Sequence, residues 1–303
     1  MFWITAVLRS LFSLPYAEHL SFKGGTSLSK CWNAIERFSE DVDIAVNREF
    51  LGFSGTLSKT QISDRLRRAS CSFVREKLQF DLAAQLEKDG INTDVFSVNV
   101  EITPISTTDP EKIFVEYKSL FKENPYIKPS VILEISGRSM NEPLKNIKIQ
   151  SFLDEEFAEK SFAEKPFSVQ AVVAERTFLE KICLLHEEFA KPAGTLRIER
   201  MSRHLYDLER MIDMPISENA LKNKELYKSI VEHKKTFIGL KNFDYNTLAL
   251  DKISIIPPEN VIAQWNADYR KMQETMIYGD SLPFGKLIEK IKQLNERLRN
   301  ISL

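Results

Sequence analysis

Two short segments hold the residue types best suited to chemistry: Phe22-Lys-Gly-Gly-Thr-Ser-Leu-Ser-Lys30 and Arg37-Phe-Ser-Glu-Asp-Val-Asp-Ile-Ala45. In the second, Asp41-Val42-Asp43 opens a strand-like run, where alternation sends both carboxylates to one side and Val42 into the core. Magnesium takes oxygen ligands, commonly one or two carboxylates with phosphate oxygens and water, so this pair suits a metal–triphosphate complex. In the first, Gly24-Gly25 reads as a turn where the backbone can approach a ligand closely. Thr26-Ser27 reads as the start of a helix, whose N–H groups face an anion such as a triphosphate. Glu134 alternates with apolar neighbours in the run 131–135 and projects from the face opposite Leu133 and Ile135. It is the candidate third metal carboxylate.

Taken singly, these motifs are common. A D-x-D at a strand edge is usually a solvated turn or a helix cap, and Gly-Gly turns abound. Their order is the informative part: glycine turn, helix, then D-x-D strand. Two other nucleotide or metal loops are excluded by pattern. Residues 24–30 lack the G-x-x-x-x-G-K-[ST] of a P-loop, and no glycine or distal glutamate follows Asp41 at EF-hand spacing.

The elements that must hold these residues fall into two halves. Runs 20–22, 42–46, 96–102 and 131–135 are rich in β-branched and aromatic residues and predict one mixed sheet, with helical patterns such as 63–77 on its faces. A short strand around 167–169 follows the charged stretch 154–165. Beyond it the pattern is helical. Phe178, Ile182, Leu185 and Phe189 form one apolar stripe, and Met201, Leu205, Leu208 and Ile212 a second. Ile262, Trp265, Tyr269, Met272 and Met276 form a third, and Phe284, Leu287, Ile291, Leu294 and Leu298 a fourth. Pro257-Pro258 and Pro283 separate the last helices, since proline cannot continue one. The expectation is an α/β (α+β) domain over 1–172 and a helical bundle over 173–303.

Composition narrows the class. In 303 residues, 42 lysines and arginines nearly cancel 43 aspartates and glutamates, so no overall basic field draws the chain to nucleic acid. Any RNA grip would come from local patches such as Arg65, Arg67 and Arg68, or Lys222, Lys224, Lys234 and Lys235. Cys31, Cys71 and Cys183 are widely spaced with no C-x-x-C, and the histidines show no zinc-ligand spacing. A reduced, cytoplasmic protein without zinc is expected. Residues 1–14 are apolar but carry Arg9 and lack a basic start, which fits an amphipathic helix of the fold better than a signal peptide. No other run approaches the roughly twenty apolar residues of a membrane span.

The segments Lys23–Lys30 (K-G-G-T-S-L-S-K), Arg37–Asp43 (R-F-S-E-D-V-D), Glu175–Lys181 (E-R-T-F-L-E-K) and Ser202–Leu208 (S-R-H-L-Y-D-L) occur in this order. In this the chain resembles the AbiEii-type (MenT-like) nucleotidyltransferase toxins of the polymerase-β-like nucleotidyltransferase superfamily. The resemblance spans about two-thirds of the chain. It implies a polymerase-β-like sheet domain plus a helical bundle that contributes Lys181 and Asp207 to the cleft. It also implies an enzyme that moves a nucleoside monophosphate from a nucleoside triphosphate to an acceptor, with magnesium or manganese on Asp41 and Asp43. Ser39 and Asp41 match the family's essential S-x-D, Lys181 its essential lysine and Asp207 its essential aspartate. Lys23, Gly24, Gly25, Thr26 and Ser27 would lie on the nucleotide, with Arg138 and Arg203 as supporting cations.

The implied partners are a transfer-RNA 3′ end as acceptor and a separately encoded antitoxin. The implied reaction is in-line attack of a hydroxyl on the α-phosphorus, with pyrophosphate leaving and Asp207 a candidate proton acceptor. Read without the family, Lys181 also fits a snorkelling surface lysine, Arg203 with Asp207 an ordinary helical salt bridge, and His204 a histidine of the helix surface or core. Two other functions compete: transfer to a small molecule or protein hydroxyl, and a nucleotide-binding module without turnover. The intact set Asp41, Asp43, Lys181 and Asp207 argues against the last.

Overall fold

A computed structural model describes residues 2–39, 41–101, 110–120, 128–140, 142–192 and 194–301. The chain divides into two units: residues 1–31 with 39–173, and residues 32–38 with 174–303.

In the first unit, helix α1 (Phe2–Phe12) runs into β1 (Leu20–Lys23), and α2 (Gly24–Lys30) and β2 (Asp41–Val46) follow. A long helical stretch then includes α3 (Arg67–Phe73) and α4 (Gln79–Lys88), with π-helical turns at Gln61–Leu66 and Val74–Leu78. After it come β3 (Phe96–Val100), β4 (Glu111–Tyr117), β5 (Ser130–Ser136), β6 (Leu144–Ile149), α5 (Phe152–Glu156) and β7 (Phe167–Val172). The seven strands form one mixed sheet in the order β3-β4-β5-β2-β1-β7-β6. β2 runs parallel to β5 and β1 parallel to β7, and the other neighbours are antiparallel. α1 buries Ile4, Val7, Leu8 and Leu11, the i, i+3, i+4, i+7 stripe of an amphipathic helix, and packs against α4, β5 and β7.

The second unit is helical: α6 (Ala174–Phe189), α7 (Ser202–Ile212), α8 (Pro215–Lys222), α9 (Lys224–His233), α10 (Glu259–Thr275) and α11 (Phe284–Arg299). α7 is its axis and touches α6, α8, α10 and α11. That position follows from its sequence, because Leu205, Leu208, Met211 and Ile212 give it apolar contacts on several sides. Pro258 and Pro283 immediately precede α10 and α11, where a missing N–H costs a helix nothing.

The mixed sheet with flanking helices and the helical bundle agree with the sequence expectation, and three local expectations change. The predicted helix over 63–77 is part of a longer one, because no proline or glycine interrupts residues 61–88. The buried seam of α10 is Val261, Trp265, Tyr269 and Met272, leaving Ile262 only partly covered. β3 ends at Val100, and Ile102, expected to close it, lies outside the described residues. Among the described residues, no helix is long and apolar enough to cross a membrane, and no three His, Cys, Asp or Glu side chains are grouped to hold a metal.

Candidate active site

In the sheet unit the carboxylates lie where alternation puts them. Asp41 and Asp43 share one face of β2, while Val42 and Ile44 between and beyond them are fully buried on the other. Pairing with β1 sets Lys23 opposite Asp43, and pairing with β5 sets Glu134 on Asp43's other side. β4 continues the row by placing Lys112 opposite Glu134. Four neighbouring strands therefore carry Lys23, Asp43, Glu134 and Lys112 side by side on one face. Glu134 occupies the expected face, but its carboxylate is ion-paired with Lys112 at 2.9 Å. Burial lowers the Lys112 pKa, yet the bond to Glu134 and the charges of Glu134, Glu101 and Asp41 raise it overall.

The glycine turn is shaped to one of these carboxylates. Gly24 has φ +74°, and a Cβ on it would lie 1.8 Å from Asp43 Oδ2. Only a glycine combines that left-handed backbone with so close an approach. Next to it, the Thr26 hydroxyl donates to the Asp41 carbonyl, so the first turn of α2 is tied to the first residue of β2. Ser27 Oγ donates back to the Gly24 carbonyl at 2.9 Å. Both hydroxyls thus hold the turn in shape. Ser39 is buried two positions before Asp41, and Gly25 follows Gly24 as the second residue of α2. Arg138 lies just after β5, its backbone N–H donating to Ser136 Oγ at 3.1 Å. Two hard oxygen donors from one strand face, one of them seated on a glycine backbone, fit a divalent oxygen-loving cation completed by phosphate oxygens and water.

The helical unit holds a second charged cluster, which is buried. Asp207 of α7 is fully enclosed, and Arg37 grips it with two bonds, Nε to Oδ1 at 2.6 Å and Nη2 to Oδ2 at 2.8 Å. The Lys181 ammonium of α6 also reaches Oδ2, at 2.8 Å, and lies 3.3 Å from His204 Nδ1. Lys181 is only 6% exposed, so it is not the snorkelling lysine that the residues alone left open. Burial opposes ionisation of Asp207, but Arg37 and Lys181 outweigh it and hold the carboxyl well below the usual carboxylate range. Such a group is a poor proton acceptor, which weighs against Asp207 as the base. Burial, followed by the charges of Lys181 and Arg203, holds the His204 pKa well below the usual histidine value.

Arg37 is set by the strand-like segment around it. It bridges to Ile277, Phe38 N–H donates to the Met276 carbonyl at 2.7 Å, and Tyr278 N–H donates to the Glu36 carbonyl at 3.0 Å. The start of α7 is fixed by Asp268 of α10, which accepts from Arg200 N–H at 2.7 Å, Ser202 N–H at 2.9 Å and Ser202 Oγ at 2.6 Å. Replacing Asp268 by alanine removes this cap. It is expected to cost about 1–2 kcal/mol, read as a lowered midpoint in chemical denaturation.

Arg37, His204, Lys112 and Asp268 take parts here that their sequence positions do not assign. Arg37 stood inside the quoted R-F-S-E-D segment, which was the available signal; the others owe their parts to contacts between distant elements. Among the basic residues suggested for RNA, Arg67 is buried and Lys234 is ion-paired with Glu187 at 2.9 Å, so neither presents a phosphate-binding surface. Arg65, Arg68, Lys222, Lys224 and Lys235 are exposed.

The family model described as nucleotidyl transferase AbiEii toxin of a type IV toxin–antitoxin system matches residues 6–294. Among solved structures, MenT4, a nucleotidyltransferase toxin from Mycobacterium tuberculosis H37Rv, aligns over 99% of this chain and 83% of its own, with TM-score 0.57 and 16% identity. The fold is therefore shared with MenT4. JHP933 from Helicobacter pylori aligns over 97% of this chain and 94% of its own, with TM-score 0.38 and 16% identity. No curated protein gives a significant sequence match. The family match covers nearly the whole chain, including the glycine turn, the D-x-D strand and the helices bearing Lys181 and Asp207: the chain belongs to the AbiEii family of nucleotidyltransferase toxins and is a nucleotidyltransferase.

Proposed function

We propose that the enzyme transfers a nucleoside monophosphate from a nucleoside triphosphate to the 3′ end of transfer RNA, with magnesium, or manganese in its place, bound by Asp41 and Asp43. The observation that carries the metal assignment is the seating of Asp43 Oδ2 against Gly24, with Asp41 on the same strand face. The transfer-RNA acceptor and the cognate antitoxin rest on the family.

A divalent ion bound there would supply charge neutralisation for the α-phosphate and the departing pyrophosphate. The acceptor hydroxyl oxygen forms the new bond to the α-phosphorus while the bond from that phosphorus to the bridging oxygen breaks. Pyrophosphate carries away the electron pair, and the hydroxyl proton passes to solvent. The protein's share is positioning and electrostatics. Lys23, Gly24 and Gly25 shape the triphosphate seat, and the hydroxyls of Thr26 and Ser27 hold that seat rigid. Ser39 leads into the carboxylate strand. Lys181 neutralises transferring phosphate, and Asp207 fixes Lys181 rather than taking the proton. Arg138 and Arg203 are supporting cations, and Glu134 stays with Lys112 beside Asp43.

The test incubates the purified protein and its Asp41→Ala variant with magnesium, each α-labelled nucleoside triphosphate in turn, and total transfer RNA. Label entering RNA with the wild type alone is expected and names the nucleotide. Pyrophosphate release with no label in RNA would move the acceptor to a small molecule or a protein hydroxyl. Equal labelling by the variant would remove Asp41 from the site.

A further inference from the structure

We propose that His204 is a positioning residue for Lys181: its unprotonated Nδ1 accepts a hydrogen bond from the Lys181 ammonium and, together with Asp207, fixes the direction of the remaining ammonium N–H. This rests on the reading of Lys181 as the cation that meets transferring phosphate.

An ammonium has three donors and no acceptor, and it sits on a four-carbon stem with many rotamers. Two acceptors from α7, Asp207 Oδ2 at 2.8 Å and His204 Nδ1 at 3.3 Å, engage two of the three N–H bonds and leave one. His204 and Asp207 are three residues apart, which on a helix places them on one face. With Lys181 charged, its ammonium can only donate, so this contact places the His204 proton on Nε2 and leaves the ring neutral. The surroundings favour that state. His204 is enclosed, and the charges acting on it are Lys181, Arg203 and Arg37, against Asp207 alone.

Neutrality matters to the chemistry. Arg37 and Lys181 bring two positive charges to the cluster and Asp207 one negative, so these three leave a surplus of one positive charge. A second carboxylate in place of His204 would hold Lys181 equally well but cancel that surplus. An imidazole holds the ammonium without cancelling its charge, and a buried positive charge attracts an anion such as a phosphate group.

Three variants and one spectrum test this. His204→Leu keeps an apolar side chain of moderate size and removes the acceptor. His204→Asn places an amide oxygen at about the position of Nδ1. Lys181→Ala tests the underlying reading. In the transfer assay with transfer RNA, His204→Leu is expected to lower kcat about tenfold, the worth of a hydrogen bond to a charged group. KM for the nucleoside triphosphate should change less, and His204→Asn should recover most of the rate. In 15N-labelled wild type at neutral pH, the His204 imidazole should show Nδ1 unprotonated and Nε2 protonated, and the Lys181 ammonium signal should shift in His204→Leu.

A protonated Nδ1 would overturn the proposal, as would equal loss in the Leu and Asn variants, the mark of a merely structural residue. Unchanged transfer in Lys181→Ala would instead sink the role of Lys181. The two nitrogen signals would still decide whether His204 holds it.

Discussion

Gly24→Ala is expected to lower nucleotidyl transfer by more than about a hundredfold while the protein still folds. The added Cβ would lie 1.8 Å from Asp43 Oδ2 and 2.6 Å from its Cγ, so the carboxylate must leave its seat. Displacing a reacting group by about 1 Å can cost about a hundredfold in rate, and this clash demands more. The left-handed backbone adds about 1–2 kcal/mol of strain for any residue with a Cβ. Gly52→Ala separates the two effects, since Gly52 has φ +88° and nothing lies within 4 Å of its would-be Cβ. That control should lose a comparable amount of stability and keep its transfer rate. If Gly24→Ala and Gly52→Ala transferred equally well, the fit between the glycine turn and Asp43 would have no part in the reaction.

What could be read in the sequence was whatever short-range geometry determines. Alternation within three residues put Asp41 and Asp43 on one face, and the same rule placed Glu134 correctly on β5. Period-3.6 stripes marked α6, α7, α10 and α11, with Val261 in place of Ile262 at the start of the α10 seam, whereas the short α8 and α9 gave no stripe. β4 and β6 escaped because their apolar signal is diluted. β6 is an edge strand with exposed Lys145, Asn146 and Lys148, residues that discourage edge-to-edge pairing. The assignment of residues 32–38 to the helical unit was also invisible, for it rests on backbone bonds to 276–279. Arg37 and Asp207 are 170 residues apart, and Lys181 and His204 are on different helices. Such pairs are set by how helices pack, and no local period reports them. This is also why Arg203 with Asp207 looked like a plain helical pair, whereas Asp207 is gripped by Arg37 and Lys181.

Asp207→Asn should be the most destabilising single change in the helical unit, by about 3–5 kcal/mol, the usual cost of removing one partner from a buried ion pair. An asparagine keeps the shape but offers one oxygen in place of two, and its amide hydrogens would face Arg37 or Lys181, both of which can only donate. Two buried cations would then lose the carboxylate they share. Arg37→Met should cost less, because Lys181 still reaches Asp207 at 2.8 Å and the remaining pair is neutral. Chemical denaturation of the two variants checks the order. Equal stability of wild type and Asp207→Asn would show that the cluster contributes nothing. The pH dependence has a definite sign. The folded-state pKa of Asp207 is depressed, so its contribution is complete above the unfolded value of about 4 and is lost as pH falls towards the folded one. The stability gap between wild type and Asp207→Asn should therefore stay level from neutral pH down to about pH 4 and narrow only in stronger acid. A gap that closed near neutrality would assign the effect to another group, with His204 the first to examine.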